Sequence, residues 1–258
     1  MAANAKPIIL AENRLLDGTP TATDTATGYD VLNLIDLRPF TFWQAGSHGT
    51  KYITVDCGAA AKADCIAMIG HNLYTADADV SVEVSADNFA AETIEGLAAF
   101  TPTSDRAFLK TFTERNKQYW RIKIVTAATA AKIGVLLLGS RLDFPRYPAA
   151  NFDPSPERLN GIAARSKAGH MIGATLKNIS HEIRVEFRSL TPTWFDNTFK
   201  PVWDAHLSQL KPFFFSWDNE NHPADVRFLT MPEKGMLSAP YDPFRRSMNL
   251  TFEGIKET

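Results

Sequence analysis

Cysteine is scarce in this chain: Cys57 and Cys65 are the only two among 258 residues. Two thiols with no CxxC spacing cannot form a structural zinc site without histidine partners. Each sits in an apolar stretch, which suits a small buried hydrophobe better than a disulfide across neighbouring strands. Long apolar runs are missing too. Ile133 to Leu138 is among the longest, far short of the ~20 residues of a membrane span, so no membrane insertion is expected. The segment Met1–Lys6 lacks the basic start and apolar stretch of a signal peptide, and synthesis in a cytoplasm is the expectation. A surplus of one charge is absent: 27 Lys and Arg face 29 Asp and Glu, and neither half of the chain is a polycation. A non-specific nucleic-acid partner is therefore not expected. Apolar residues at 45% and charged residues at 22% exclude a disordered tail, a collagen and a coiled coil.

Catalytic signatures are missing as well. There is no Walker motif, GxGxxG, GxSxG or HExxH, and no two of the six histidines lie four residues apart. His206 falls on an apolar helical face and reads as a core or interface residue. His71 follows a strand and has no nucleophile or acid assignable to it by spacing. Asp77 and Asp79 precede a strand and read as solvated turn residues rather than a calcium or acid–base pair. The polar stretch Asp218–Pro223 reads as a hairpin loop. No catalytic residue, cofactor or metal ligand is assigned, and no enzyme is expected.

What is present is alternation. Val80, Val82 and Val84 alternate with Ser81, Glu83 and Ser85, and Trp120, Ile122 and Ile124 with Arg121 and Lys123. Period two with one apolar face predicts half-buried strands. Further strands are predicted at Pro7–Leu10, Leu32–Ile35, Phe40–Trp43, Tyr52–Cys57, Cys65–Ile69, Ala107–Phe112 and Lys132–Leu138. Many short strands without a long amphipathic helix predict a β-sandwich or jelly roll over 1–142. Four prolines between Asp143 and Pro156 exclude a regular element there, so 143–165 reads as a linker or surface arm, with Phe144, Tyr147 and Phe152 packing on their own domain. Beyond it, 166–258 predicts a small α+β domain. It has strands at Glu182–Ser189, Phe213–Trp217, Asp225–Met231 and Met248–Gly254. Its one helix runs from Thr193 to Leu210, kinked or restarted at Pro201.

Aromatic residues cluster at Phe40, Phe42, Trp43 and at Trp194, Phe195, Phe199, Trp203. Exposed, such rows would suit stacking on sugars. At strand and helix spacing they read as core or subunit-interface residues. The strand Phe213–Trp217 has apolar side chains on both faces, so one face needs cover from another domain or subunit. Phe213, Phe215, Trp217, Trp194 and Trp203 are the interface candidates.

Several stretches resemble a known family. The strand Tyr52–Asp56 ending in aspartate, the run Ile66–Leu73 ending in Gly-His-Asn-Leu, and Tyr119–Ile124 resemble the discoidin, or galactose-binding-like, jelly roll. The order of elements matches over about 110 residues. The second half more loosely resembles phage tail-tip and baseplate components with a tail-tube-like sandwich carrying one helix. This likeness rests on Arg184–Phe187, the Trp/Phe helix, Phe213–Trp217 and Met248–Gly254. Together the resemblances imply a structural component of a long-tailed phage or prophage tail tip or baseplate, sited in the virion. Its partners would be tube, tape-measure and hub proteins, further copies of itself, and a host-surface glycan. The alternative they imply is a carbohydrate-binding module.

Overall fold

The structure is a computed structural model that describes residues 6–150, 152–240, 242 and 244–256. The start of the chain, read above for a leader, and Asn151 of the proline-rich stretch lie outside the described residues. In chain order the strands begin with β1 (Ile8–Leu10), β2 (Thr21–Ala22), β3 (Trp43–Gln44), β4 (Gly49–Ile69) and β5 (Asp79–Ser85). Next come β6 (Ile94–Phe100), β7 (Phe108–Thr126), β8 (Lys132–Ile133), β9 (Val135–Gly139) and β10 (Leu142–Asp143). The last are β11 (Glu157–Arg165), β12 (Met171–Leu190), β13 (Phe213–Ser216), β14 (Val226–Leu229) and β15 (Arg246–Ile255). The chain is mainly β: a jelly-roll sandwich plus a second, smaller unit. The compact units are discontinuous, with residues 1–143 and 214–226 in the first and 144–213 and 227–258 in the second.

The first unit is built on one folded ribbon. β4 pairs with β7 antiparallel from Gly49↔Thr126 to Asp56↔Tyr119, then again from Ala61↔Lys117 to Met68↔Phe108. A straight strand of this length would separate its ends by roughly 65 Å. Both ends instead meet the chain where β7 finishes and just beyond: the Gly49 amide donates to Oγ1 of Thr126, the last residue of β7, at 3.1 Å, and the Gly134 amide to Ile69 O at 3.2 Å. The ribbon therefore doubles over at the irregularity between Asp56 and Ala61, where Gly58 takes φ 71°. One half carries β2, β5 and β6, and the other carries β9. The two inward faces share a core in which Ile53, Val82, Trp120 and Ile122 meet Ile66, Met68, Leu136 and Leu138. β1 pairs with β10 on one side and, through Phe214–Ser216, with β13 on the other.

Several sequence expectations change. The segments at Tyr52 and Cys65 are halves of one strand, as are those at Ala107 and Tyr119. Leu32–Ile35 is not a strand but part of a 3-10 helix over Val31–Ile35, because the Asp30 carboxylate accepts from the Leu32 amide at 2.8 Å and turns the chain. Of Phe40–Trp43 only Trp43 is in a strand, the two-residue β3 that it forms with Gln44, since Pro39 interrupts regular pairing just upstream. Both cysteines are free; Cys65 is buried and Cys57 half-buried.

The second unit holds the antiparallel sheet β11-β12-β15. Ile183, Val185 and Phe187 of β12 and Met248, Leu250 and Phe252 of β15 point inward. The helical segment starts with α1 (Pro192–Trp194), where Thr191 Oγ1 accepts from the Trp194 amide. A π-turn at Phe195–Phe199 leads into α2 (Lys200–Ala205), which carries Pro201 in its first turn, where no amide is required. Leu210, where the predicted helix ends, is exposed and takes φ 57°, closing the last turn in a left-handed cap. Phe144 is fully buried and stacks on Phe187 at 4.2 Å, with Trp194 and Phe199 beside it. Glu157–Arg165, within the stretch read as an arm, is strand β11.

Candidate functional site

The doubled ribbon sorts the loops of the first unit to two ends. β5 and β6 run between the same ends, since Asp79 pairs with Val125 and Val80 with Phe100. Segments 36–48, 70–78, 101–107 and 127–131 thus gather at one end. Of the exposed large side chains of this unit, Tyr29, Leu32, Phe40 and Tyr74 lie on these segments or the turn leading into them.

Phe40 is the most prominent, with 77% of its surface in solvent. Its loop is braced from both sides. Asp36 accepts from the Arg38 amide at 2.8 Å and from Thr41 Oγ1 at 2.5 Å. Gly70 and Gly134 let the loop lie close: a Cβ at either would come within 2.8 Å of the Pro39 carbonyl oxygen. Leu37 adopts φ 62°, a strained conformation for a branched side chain. Beside it Tyr29 stacks on Phe42 at 4.7 Å, and Lys132 Nζ lies 3.9 Å from the Phe42 ring centroid. Asn72 ties this patch to the next loop, accepting from the Lys132 amide at 2.8 Å and donating to Ala130 O at 3.0 Å.

Tyr74, 55% exposed, is held through its backbone. Asp105 accepts from the amides of Tyr74 and Thr75 at 2.9 and 3.1 Å and from the Thr75 hydroxyl. Burial works to raise the Asp105 carboxyl; the hydrogen bonds from Thr75 and Tyr74 outweigh it and hold the carboxyl below its ordinary value. His71 is buried, donates from Nε2 to Arg106 O at 2.9 Å, and accepts from the Leu73 amide at Nδ1. Burial pushes its pKa down to about 4, against the Arg106 carbonyl and Asp105. Neutral His71 is therefore a loop strut rather than an acid–base group.

The remaining sequence candidates fall elsewhere. Phe213 and Phe215 are buried. Trp217 is half-buried, stacks on His222 at 4.4 Å and donates to Asp225 at 3.3 Å. Trp194 and Trp203 are half-buried beside Phe199. His206 bonds Pro212 O at 2.8 Å, and burial lowers its pKa. Asp79 accepts from Thr101. Among the described residues no group of three His, Cys, Asp or Glu could hold a metal ion. A shallow groove of about 390 Å³ at the root of β11 and β12 is lined by Glu157, Arg158, Glu182 and Arg184. Its acids are already paired, Glu182 with Arg184 at 2.6 Å and Glu157 with Lys256 at 2.5 Å.

Sequence spacing grouped Phe40 with core or subunit-interface aromatics, and the core half of that reading fails for it. The signal against that was Arg38-Pro39 directly before it, which disfavours a continuous strand.

No family model matches the chain, and no curated protein matches it. Solved structures do. Chitosan-binding module 1 from the chitosanase/glucanase of Paenibacillus sp. IK-5 is 19% identical, with 49% of this chain and 98% of that chain covered and a TM-score of 0.41. A CBM32 module from Clostridium perfringens, solved with GalNAc-β-1,3-galactose, is 13% identical over 50% and 99% of the two chains, with a TM-score of 0.42. The CBM32 of AlyQ, solved with 4,5-unsaturated mannuronic acid, is 24% identical over 46% and 92%, with a TM-score of 0.39.

Proposed function

We propose that the first unit is a non-catalytic saccharide-binding module. The observation that carries this reading is the exposed Phe40 ring on a loop immobilised by Asp36 and the Gly70/Gly134 contact, with Tyr29 and Tyr74 on the same end. A rigid aromatic ring loses little entropy on binding and offers an apolar face to the C–H face of a pyranose. Asp36 and Arg38 flank it in the same loop, and Asn33, bonded to Phe42 O at 2.9 Å, and Lys132, over the Phe42 ring, add polar groups to that loop's surroundings. A glycan array followed by titration calorimetry on the best hit tests this. Phe40→Ala is expected to weaken binding about tenfold or more, equivalent to ~1.4 kcal/mol, with the melting temperature unchanged. An array with no hit, or a Phe40→Ala variant that binds as the parent does, rejects the reading.

A second reading is a structural subunit of a long-tailed phage tail tip or baseplate, acting in the virion. One observation favours it: β11 and β12 extend past the sheet as an uncovered ribbon, as an assembly subunit requires.

A further inference from the structure

The β11–β12 ribbon cannot be explained by its own unit. β15 pairs with β12 from Leu190 to Ser180, and the Lys256 amide just beyond it donates to Ile179 O at 2.8 Å; from Asn178 to Met171, among the described residues, β12 has β11 alone beside it. Residues 161–165 and 171–178 are exposed on both faces. Leu159, Ile162, Met171, Ile172 and Leu176 are 56 to 71% exposed. A bare two-stranded ribbon is marginal in water, and a row of open backbone groups beside large apolar side chains invites another strand.

Charge narrows the partner. Residues 158–181 carry four cations, Arg158, Arg165, Lys167 and Lys177, and no Asp or Glu. The second unit as a whole holds 14 Lys and Arg against 10 Asp and Glu, so its entire positive excess lies on the ribbon. The first unit is opposite in sign, with 13 Lys and Arg against 19 Asp and Glu. A lipid bilayer fits poorly, because the open edges of a two-stranded ribbon would leave backbone groups unsatisfied in hydrocarbon. A nucleic acid fits poorly, because the acidic first unit would repel it.

We propose that the ribbon is a self-assembly arm that docks on the first unit of a second copy of this chain. The acceptor is β6, which closes one side of its sheet and, among the described residues, has β5 as its one strand partner. β6 reads Ile-Glu-Gly-Leu-Ala-Ala-Phe, with no Lys or Pro of its own, and Arg115 donates to Glu95 O at 3.1 Å; of the acids just before it, Glu92 pairs with Lys117 at 2.8 Å and Asp87 accepts from Ser85 Oγ at 2.6 Å, while the excess of acids belongs to the unit as a whole. Addition of the free β12 edge to β6 makes a head-to-tail contact that closes into a ring or propagates as a filament. The arm and its acceptor do not depend on the saccharide reading, which concerns the Phe40 loops.

Sedimentation velocity of the intact chain across micromolar concentrations tests this, at low and at high salt. Oligomers are expected at low salt, shifting toward the monomer as salt screens the charges. The triple variant Arg165→Glu, Lys167→Glu, Lys177→Glu changes only exposed residues and is expected to be monomeric with an unaltered circular dichroism spectrum. Ala98→Pro blocks the β6 edge and should act likewise. Mixed together, the two variants retain one good arm and one good acceptor and should form a heterodimer. An intact chain that stays monomeric overturns the proposal, as does an oligomer indifferent to both variants. A monomer that floats with phosphatidylglycerol vesicles also overturns it and assigns the ribbon to lipid.

Discussion

At the scale of single residues, the candidate site depends on side chains that bind nothing themselves. His71 and Asp105 hold the Tyr74 loop through backbone contacts. Their protonation sets the acid stability of that end of the jelly roll. The folded-state pKa of His71, about 4, lies below the unfolded value of 6.5. The unfolded chain therefore binds the extra proton first as pH falls. Stability is complete above pH 6.5 and declines between pH 6.5 and about 4, by about 3 kcal/mol in all. The carboxyl of Asp105 is also held low, so its contribution is lost in the same direction, at still lower pH. Urea midpoints measured from pH 7.5 to 4 should fall steeply for the parent chain, on the order of the figure above. In His71→Gln the slope over this window should flatten. An equal slope in both chains would show that His71 is not the titrating group.

At the scale of elements, legibility followed period two. The stretches Val80–Ser85 and Tyr119–Val125 announce themselves because one face is buried and the other wet. β6 carries Gly96 and two alanines and shows no such pattern, and β11 and the outer part of β12 have no buried face to produce one. The doubling of β4 on itself is also silent, because the fold falls on small residues, Gly58 to Ala61, that read as an ordinary loop. The exposed Phe40 was hidden for the opposite reason: its neighbours Phe42 and Trp43 look like strand residues, and only Trp43 is one. β9 shows how a strand edge can be satisfied by side chains that no pattern reveals. One edge pairs with β4; at the inner part of the structure Asn13 donates to Leu136 O at 3.0 Å and accepts from the amides of Leu138 and Leu15, each at 3.2 Å. Asn13 is buried, so Asn13→Ala strands several polar groups away from water. A loss of roughly 2–4 kcal/mol is expected from this. Chemical denaturation would detect it. A loss below half the lower bound would mean that water reaches the β9 edge and replaces the amide.

At the scale of the whole molecule, the discontinuity of the first unit has an energetic consequence. The jelly-roll pattern ends by residue 143, yet β1 lies between β10 and a segment that the chain reaches only after residue 213. Ile9 and Leu10 are fully buried, opposite Phe215 and Phe214. A fragment ending at Asp143 keeps every strand of the doubled ribbon but exposes this edge of β1 and loses two buried phenylalanines. At about 1.5–3 kcal/mol for each large apolar side chain, the missing strand removes roughly 3–6 kcal/mol, a large share of the stability of a unit this size. The fragment should therefore be markedly less stable than the first unit within the intact chain, with an open apolar strand edge that promotes aggregation. Adding a synthetic Phe213–Val226 peptide should raise its melting temperature, since the peptide supplies the missing partner of β1. A soluble 1–143 fragment that melts with the intact chain and ignores the peptide would show that the jelly roll is complete without β13. That result would make the β1–β13 pairing a tether rather than part of the core.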